Sequence, residues 1–425
     1  MSKEIRKVAI IGGSRIPFVK SFSNYLRLTN SDLMLAVMKN LVEKFHLEGE
    51  LIGDVAIGAV MKHPNDWNLA REVVLDSGLH PNTPAYNVQR ACGTSLDCTN
   101  QIALKIATGQ IEVGIAGGTD TNSDIPITFS HELSTKLLQI KAAKGPTDYL
   151  KILMKLSPKD LIPKLPAVVE LRTHLSMGEH CEKMVKEWNI ARVDQDELTY
   201  NSHKNGALAY NEGFYDDLVF EYKKLTKDTI LRENTTTEKL ARLNPAFDKS
   251  DKGTLTAGNS TALSDGASAV LLASEEYAKK HKLEVMAYFS DCEASAVNFV
   301  AGDGLLMAPT IAVANLLKRN NLKLQDFDFY EIHEAFAGQV LCTLKAWESA
   351  DYCKHVLNLN APLGKIDRAK MNVKGGSVAL GHPFAATGTR LVATLAKTLK
   401  EKGKGRGLIS ACTAGGMGVA AILEL

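Results

Sequence analysis

The chain has 425 residues, 45% hydrophobic and 23% charged, with 32 glycines and a formal net charge of +2. A chain of this length predicts two or three structural units, and nothing in so small a net charge favours nucleic acid or a general membrane surface. Seven cysteines (Cys92, Cys98, Cys181, Cys292, Cys342, Cys353 and Cys412), irregularly spaced and without a C-x-x-C pair, argue against structural zinc and a disulfide framework.

Residues 8–12 are a compact apolar strand, with Gly12-Gly13 expected to end it. Helical spacing of Leu33, Val37, Leu41 and Phe45 predicts a helix over 31–47; 55–60 reads as a strand and 68–78 as a helix. A short strand at 86–88 then runs into NVQRACGTSLDCTN, followed by a buried helix over 95–108 and a strand over 112–120 that closes on glycines. From 124 to 247 the alternation stops, giving way to short helices, basic residues and prolines, with one clear helix over 190–211. Sheet-like sequence returns over 254–272. Strands follow at 284–292, 328–332, 406–412 and 419–425, with helices at 308–317 and 387–399. Alternating strands and helices imply an α/β fold with a parallel or mixed sheet covered on both faces.

The two ends of the chain share one layout. GTSLDCTNQIALKIATGQIEVGIAGGTD and GTRLVATLAKTLKEKGKGRGLISACTAGG each run small-residue turn, buried helix, polar turn, strand, glycine turn. That is a duplication at domain scale. Neither the first turn, GGSRIP, nor AGGTD has the G-x-G-x-x-G spacing of a dinucleotide site, which rejects a nicotinamide or flavin enzyme.

Cys92 sits between a strand and a helix, where the helix dipole and free N–H groups favour a thiolate and a nearby oxyanion. A single cysteine is more often buried and inert. Here it is accompanied by IHEAF with His333, GHPFAATG with His382, and CTAGG with Cys412. A histidine such as His382 has the right ordinary pKa to take a thiol proton. Cys412, ending a strand before a glycine turn, is a candidate second acid/base.

These stretches resemble the thiolase family. The resemblance extends to KVAIIGGSRIPFVK, LTAGNSTALSDGASAVLL and the closing GVAAILEL. It implies a five-layered αβαβα fold of two similar halves with a loop-domain insertion. The divisions would be a first N-terminal part (1–123), a coenzyme A-binding loop domain (124–247), completion of that half (248–280) and a C-terminal half (281–425). It also implies CoA-dependent cleavage of a 3-ketoacyl-CoA to acetyl-CoA and a shortened acyl-CoA, as in fatty acid β-oxidation, through an acyl-cysteine on Cys92. His382 would be the base, Cys412 the second acid/base, and the backbone amides of Cys92 and Ala414 an oxyanion hole, although the family usually has Gly where this chain has Ala414. Most thiolases have Asn where this chain has His333; the histidine version resembles the β-subunit of the fatty-acid-oxidation trifunctional complexes. Glu334 beside it would orient the backbone.

The same residues leave three rival readings: an acetoacetyl-CoA thiolase working in the condensing direction, a ketoacyl-ACP synthase, and an inactive acyl-CoA-binding scaffold. A synthase, which generates its carbanion by decarboxylation, does not need Cys412; retention of all four groups speaks against a scaffold. Thr261, with Ser260, matches the family's pantetheine contact. Coenzyme A is expected as substrate, with no further cofactor and no metal; His174, His180 and Cys181 come nearest to ligand spacing. The family implies a homodimer or homotetramer.

Residues 136–164 hold seven lysines among many apolar residues, with Leu150, Leu153 and Met154 on one helical face. A basic amphipathic segment suits a membrane surface, a hydratase/dehydrogenase partner subunit, or a cap over CoA phosphates. The opening MSKEIRKVAIIGG has no export or import pattern and the closing ILEL is no peroxisomal address, so a cytoplasmic location is expected.

Overall fold

The computed structural model describes residues 5–167 and 169–425. Its strands are β1 (Val8–Arg15), β2 (Val19–Lys20), β3 (Asp54–Gly58), β4 (Ala85–Val88), β5 (Val113–Asp120), β6 (Ser264–Ser274), β7 (Ala287–Ala296), β8 (Phe329–Ile332), β9 (Arg406–Thr413) and β10 (Met417–Glu424). Its α-helices are α1 (Asn30–Lys44), α2 (Leu69–Asp76), α3 (Thr94–Ala107), α4 (His131–Ala142), α5 (Pro146–Leu153), α6 (Met177–Glu187), α7 (Arg192–Asn211), α8 (Thr237–Ala241), α9 (Glu275–Lys280), α10 (Ala308–Asn320), α11 (Ala337–Glu348), α12 (Ala350–His355), α13 (Ser377–Leu380) and α14 (Thr387–Lys402). No described helix is long and apolar enough to cross a membrane.

One mixed sheet runs through the molecule in the order β4-β3-β5-β6-β1-β7-β10-β9-β8, with β2 paired to β6. The seam between its two wings is short: β1 meets β7 only at Ala9↔Tyr288 and Ile10↔Ala287. Alternate residues of each strand face opposite sides, and the sequence exploits this. Ile11, Val55, Ile57, Ile115 and Leu271 bury one face of the first wing under α1 and α2. Ile10, Ala56, Ala116, Val270 and Leu272 point the other way, onto Leu96, Ile102 and Ile106 of α3 and Leu391, Leu395 and Leu399 of α14. On the second wing Ile409, Ala411, Val419 and Ala421 close on the same pair of helices, while Leu408, Ala420 and Ile422 face Val313 and Leu317 of α10 and Val340 and Trp347 of α11. The layers are therefore helix, sheet, helix, sheet, helix, with α3 and α14 at the centre.

Two glycine pairs behave differently from expectation. Gly12-Gly13 does not end β1, which continues to Arg15 with a register shift against β6 between Ile10 and Gly12. Gly117-Gly118 lies inside β5. The reason is layer packing: a Cβ on Gly13 would lie 2.6 Å from that of Ala393 in α14. Helix α11 is not among the elements expected from the sequence: it is buried almost all round, Gln339 and Thr343 included, so no polar face sets off an apolar stripe. Sheet structure begins at Ser264 rather than 254, because 254–259 is a loop held by Asn259, whose side chain accepts from Thr256 N (2.7 Å) and donates to Asp196 (3.1 Å). Between β5 and β6 the chain adds α4–α8 and no strand of the main sheet.

Candidate active site

The turn between β4 and α3 holds Cys92. Ala91 adopts φ +43°, a conformation unfavourable for a residue with a Cβ. Thr94 fixes it: its Oγ accepts from Arg90 N (2.8 Å) and donates to Ala91 O (2.6 Å). Gly93 is needed at the helix start, since a Cβ there would lie 2.9 Å from both Thr413 Cγ2 and Val419 Cγ2 of the second wing. That close approach brings the two halves together at the thiol.

The expected thiolate is not the resting state. The turn uses its own first amides, Gly93 N donating to Arg90 O and Thr94 N to Ala91 O. Burial pushes the Cys92 thiol up to about 12, with the Ala414 N–H pulling the other way and Asp120 adding to the rise. Cys92 is nevertheless the most accessible of the four groups, 9% exposed against 4% for His382, 1% for Cys412 and 0% for His333.

His382 enters from the turn between α13 and α14. Gly381 supplies φ +103° and His382 N donates to Ser264 Oγ (3.1 Å). Its Nε2 lies 3.1 Å from Cys92 Sγ and its Nδ1 2.6 Å from Thr387 Oγ1. Thr387 has a second acceptor, Pro383 O at 3.3 Å. With its O–H placed there, Thr387 accepts from Nδ1–H and leaves the Nε2 lone pair for the thiol proton. Burial, then Arg390, lowers His382 to about 3. Asp120 clamps the turn: Oδ2 accepts from Ala385 N (2.7 Å), and Oδ1 from Val60 N and Met61 N.

Cys412 ends β9 in an apolar cluster with Leu305, Met307, Ala335 and Phe336. Burial, then the neighbouring Cys92, raises its thiol well above the ordinary range, so it rests as an acid. Ala414 carries no strain: the left-handed backbone falls on Gly415 (+77°) and Gly416 (+70°). Gly415 N donates to Glu170 (2.9 Å), which pins this turn.

His333 is fully buried, its ring centroid 4.2 Å from that of His382. Its Nδ1 contacts Ser377 Oγ (2.8 Å), and its Nε2 has no partner among the described residues. Burial, His382 and Arg390 drive its pKa well below the usual value. Glu334 accepts from Asn372 Nδ2 (2.6 Å), Ser202 Oγ (2.7 Å) and Val378 N (3.2 Å), tying α7 and α13 to this strand end. A cleft of about 410 Å³ opens onto Glu334 beside Ser202, Lys204 and Arg368 rather than onto Cys92.

Thr261 donates its hydroxyl to Ala335 O (3.1 Å), whereas the buried Ser260 hydroxyl has no partner. Of the residues nearest to ligand spacing, His180 Nε2 contacts Thr173 Oγ1 (2.7 Å), and Cys181 lies in the apolar core. The ligand-spaced group among the described residues is instead Cys92, His333 and His382, whose donor atoms lie within 4.8 Å of one another.

Sequence profiles decide the family. The profile of the thiolase N-terminal domain matches residues 8–276 and that of the thiolase C-terminal domain matches 283–425. The chain belongs to the thiolase family. Curated relatives include the 3-ketoacyl-CoA thiolase of a Shewanella species and that of Pectobacterium carotovorum. Each is 41% identical over 99% of this chain and 97% of its own length. Among solved structures, the acetyl-CoA acetyltransferase of Bacillus anthracis superposes with a TM-score of 0.82 at 29% identity, covering all of both chains. Human mitochondrial 3-ketoacyl-CoA thiolase superposes at 0.80 and 27%, covering 99% of each. In this thiolase the sequence reading named Cys92, His333, His382, Cys412 and Ala414, and the fold gathers them. It passed over Thr387, Ser377, Asp120 and Arg390, although the first two lie in the glycine-rich stretch around His382.

Proposed function

We propose that this thiolase cleaves a 3-ketoacyl-CoA in a CoA-dependent reaction. The observation that carries the reading is the Cys92–His382 contact of 3.1 Å with a second buried thiol, Cys412, beside it. Both resting partners are neutral, so Cys92 gives its proton to His382 Nε2 as sulfur attacks the 3-keto carbon. The C2–C3 bond then breaks, the shortened acyl group stays on Cys92, and Cys412 protonates the departing acetyl-CoA enolate. Cys412, now a thiolate, takes the proton of incoming CoA, whose sulfur attacks the acyl-cysteine; His382 returns its proton to Cys92. The amides of Cys92 and Ala414 serve the tetrahedral oxyanion and His333 Nε2 the enolate oxygen. The cycle assigns every proton to a side chain, with CoA as substrate and no resident metal or cofactor. Ser260 is the better candidate for a pantetheine contact, because the Thr261 hydroxyl is engaged.

The test is 3-ketoacyl-CoA cleavage followed by mass spectrometry of the trapped enzyme. The adduct is expected on Cys92; an adduct only on Cys98 or Cys412, with Cys92→Ala still active, would refute the assignment. A homo-oligomer, as the family implies, belongs to the same reading, as does a reducing cytoplasm, which seven free cysteines support.

Helix α5 buries no residue, and Leu138, Leu150, Leu153, Met154 and Leu165 are exposed among Lys141, Lys144, Lys151, Lys155 and Lys159. This pattern favours docking on an anionic lipid surface that delivers long acyl chains. Neutralising Lys151, Lys155 and Lys159 should weaken binding to anionic liposomes and spare acetoacetyl-CoA cleavage. Unchanged liposome binding with a raised KM for CoA would make the segment a CoA cap, and lost binding to a hydratase/dehydrogenase subunit a partner dock.

A further inference from the structure

We propose that Ser377, backed by Arg390, is a positioning pair that fixes His333 as the Nε2–H tautomer, so that this imidazole acts as a hydrogen-bond donor and not as a second base. The inference deepens the reading above, in which His333 meets an oxyanion, and rests on it for its catalytic half.

The proton inventory carries it. Arg390 Nη2 lies 2.7 Å from Ser377 Oγ, and a guanidinium can only donate. Ser377 Oγ therefore accepts there and must place its own hydrogen elsewhere. His333 Nδ1, at 2.8 Å, is its other side-chain contact among the described residues. If Ser377 donates to Nδ1, its hydroxyl both accepts and donates, and the imidazole hydrogen sits on Nε2, the nitrogen with no protein partner among the described residues. If Nδ1 carried the hydrogen, a fully buried O–H would be left without an acceptor.

His382 meets the opposite arrangement. Its hydroxyl neighbour, Thr387, has a carbonyl to donate to and is free to accept from Nδ1. Two imidazoles 4.2 Å apart are thus set by their hydroxyl neighbours as one base and one donor. Arg390, 1% exposed, also opposes a second proton on His333 by its charge, which keeps the donor neutral. The arrangement disfavours a metal on the Cys92–His333–His382 group as well: Nδ1 is occupied by the Ser377 hydrogen and Nε2 carries one of its own.

The test uses the full chain with ¹⁵N-labelled histidine. The parent spectrum should show a neutral imidazole protonated at Nε2 that disappears in His333→Asn. Ser377→Ala should move this signal toward a mixture of tautomers and lower kcat for thiolysis about 10- to 100-fold, with little change in KM. Ser377→Thr, which keeps the hydroxyl, should restore both. A His333 protonated at Nδ1 in the parent protein overturns the proposal without any variant having to fold. So does a Ser377→Ala spectrum identical to the parent's. If His333→Ala keeps full thiolysis, the donor is not used in catalysis and that half falls, while the spectrum decides the tautomer separately.

Discussion

Gly118→Ala tests whether the nucleophile and its base are held together by layer packing. Gly118 lies in β5 against the turn that carries His382. A Cβ there would be 2.6 Å from the carbonyl carbon of Ala385, closer still to its oxygen, and 3.0 Å from Ser95 Cβ. Carbon atoms in contact sit about 3.5–4.0 Å apart, so the turn must retreat by about 1 Å. It is not free to do so, because Ala385 N is bonded at 2.7 Å to Asp120, two residues along the same strand. The same retreat would stretch that bond past about 3.5 Å and end it. It would carry His382 Nε2 from 3.1 Å to about 4 Å from Cys92 Sγ. Overpacking costs about 1–3 kcal/mol and a lost bond to a carboxylate about 1.5–3 kcal/mol. A misplacement of this size lowers the rate about 100-fold. Acetylation of Cys92 by acetyl-CoA, followed by mass spectrometry beside a thermal melt, measures both. Gly145→Ala, where nothing lies within 4 Å, is the control. A Gly118→Ala protein that acetylates and melts like its parent would refute the packing account.

Cys412→Ala should leave acetylation of Cys92 largely intact while thiolysis falls about 10²–10⁴-fold; near-normal thiolysis would remove Cys412 from acid/base work. His333→Asn should retain more activity than His333→Ala, because an amide can also donate, and equal losses would mean the imidazole does something the amide cannot. Burial holds Glu331 up near 8 against an ordinary 4.5, with Arg390 opposing the rise. The folded chain keeps this proton longer, so its stabilising contribution is complete below about 4.5 and is lost as pH rises to about 8. The stability of the parent relative to Glu331→Gln should therefore decline from pH 4.5 to 8 and level off above; a pH-independent difference would contradict the shift.

Much of this was legible in the sequence because catalytic groups here mark themselves by residue type and by the glycines around them. Cys92, His382 and Cys412 each stand at the junction of an element and a small-residue turn, and those junctions formed. Charge state was not legible. The spacing placed Cys92 at a helix start and implied a thiolate, whereas the degree of burial, which spacing does not encode, leaves a thiol. The same limit hid Ser377 and Thr387. One hydroxyl donates to a histidine and the other accepts from one, a difference set by whether a carbonyl such as Pro383 O lies within reach. Glycine pairs misled as turn signals because their use here is close approach between layers, as at Gly13 and Gly118.

The order of strands also governs when the enzyme can exist during synthesis. Strand β10 is threaded between β7 and β9, and Cys92 meets His382 across 290 residues of chain. Until β10 has emerged from the ribosome, the second wing lacks its middle strand and the thiol lacks its cover. A nascent chain thus carries an accessible, unpaired Cys92 through most of its translation, at a stage when oxidation or mixed disulfides are open to it. Whatever keeps thiols reduced in the cell acts on this protein chiefly before it is finished; afterwards, packing takes over that task.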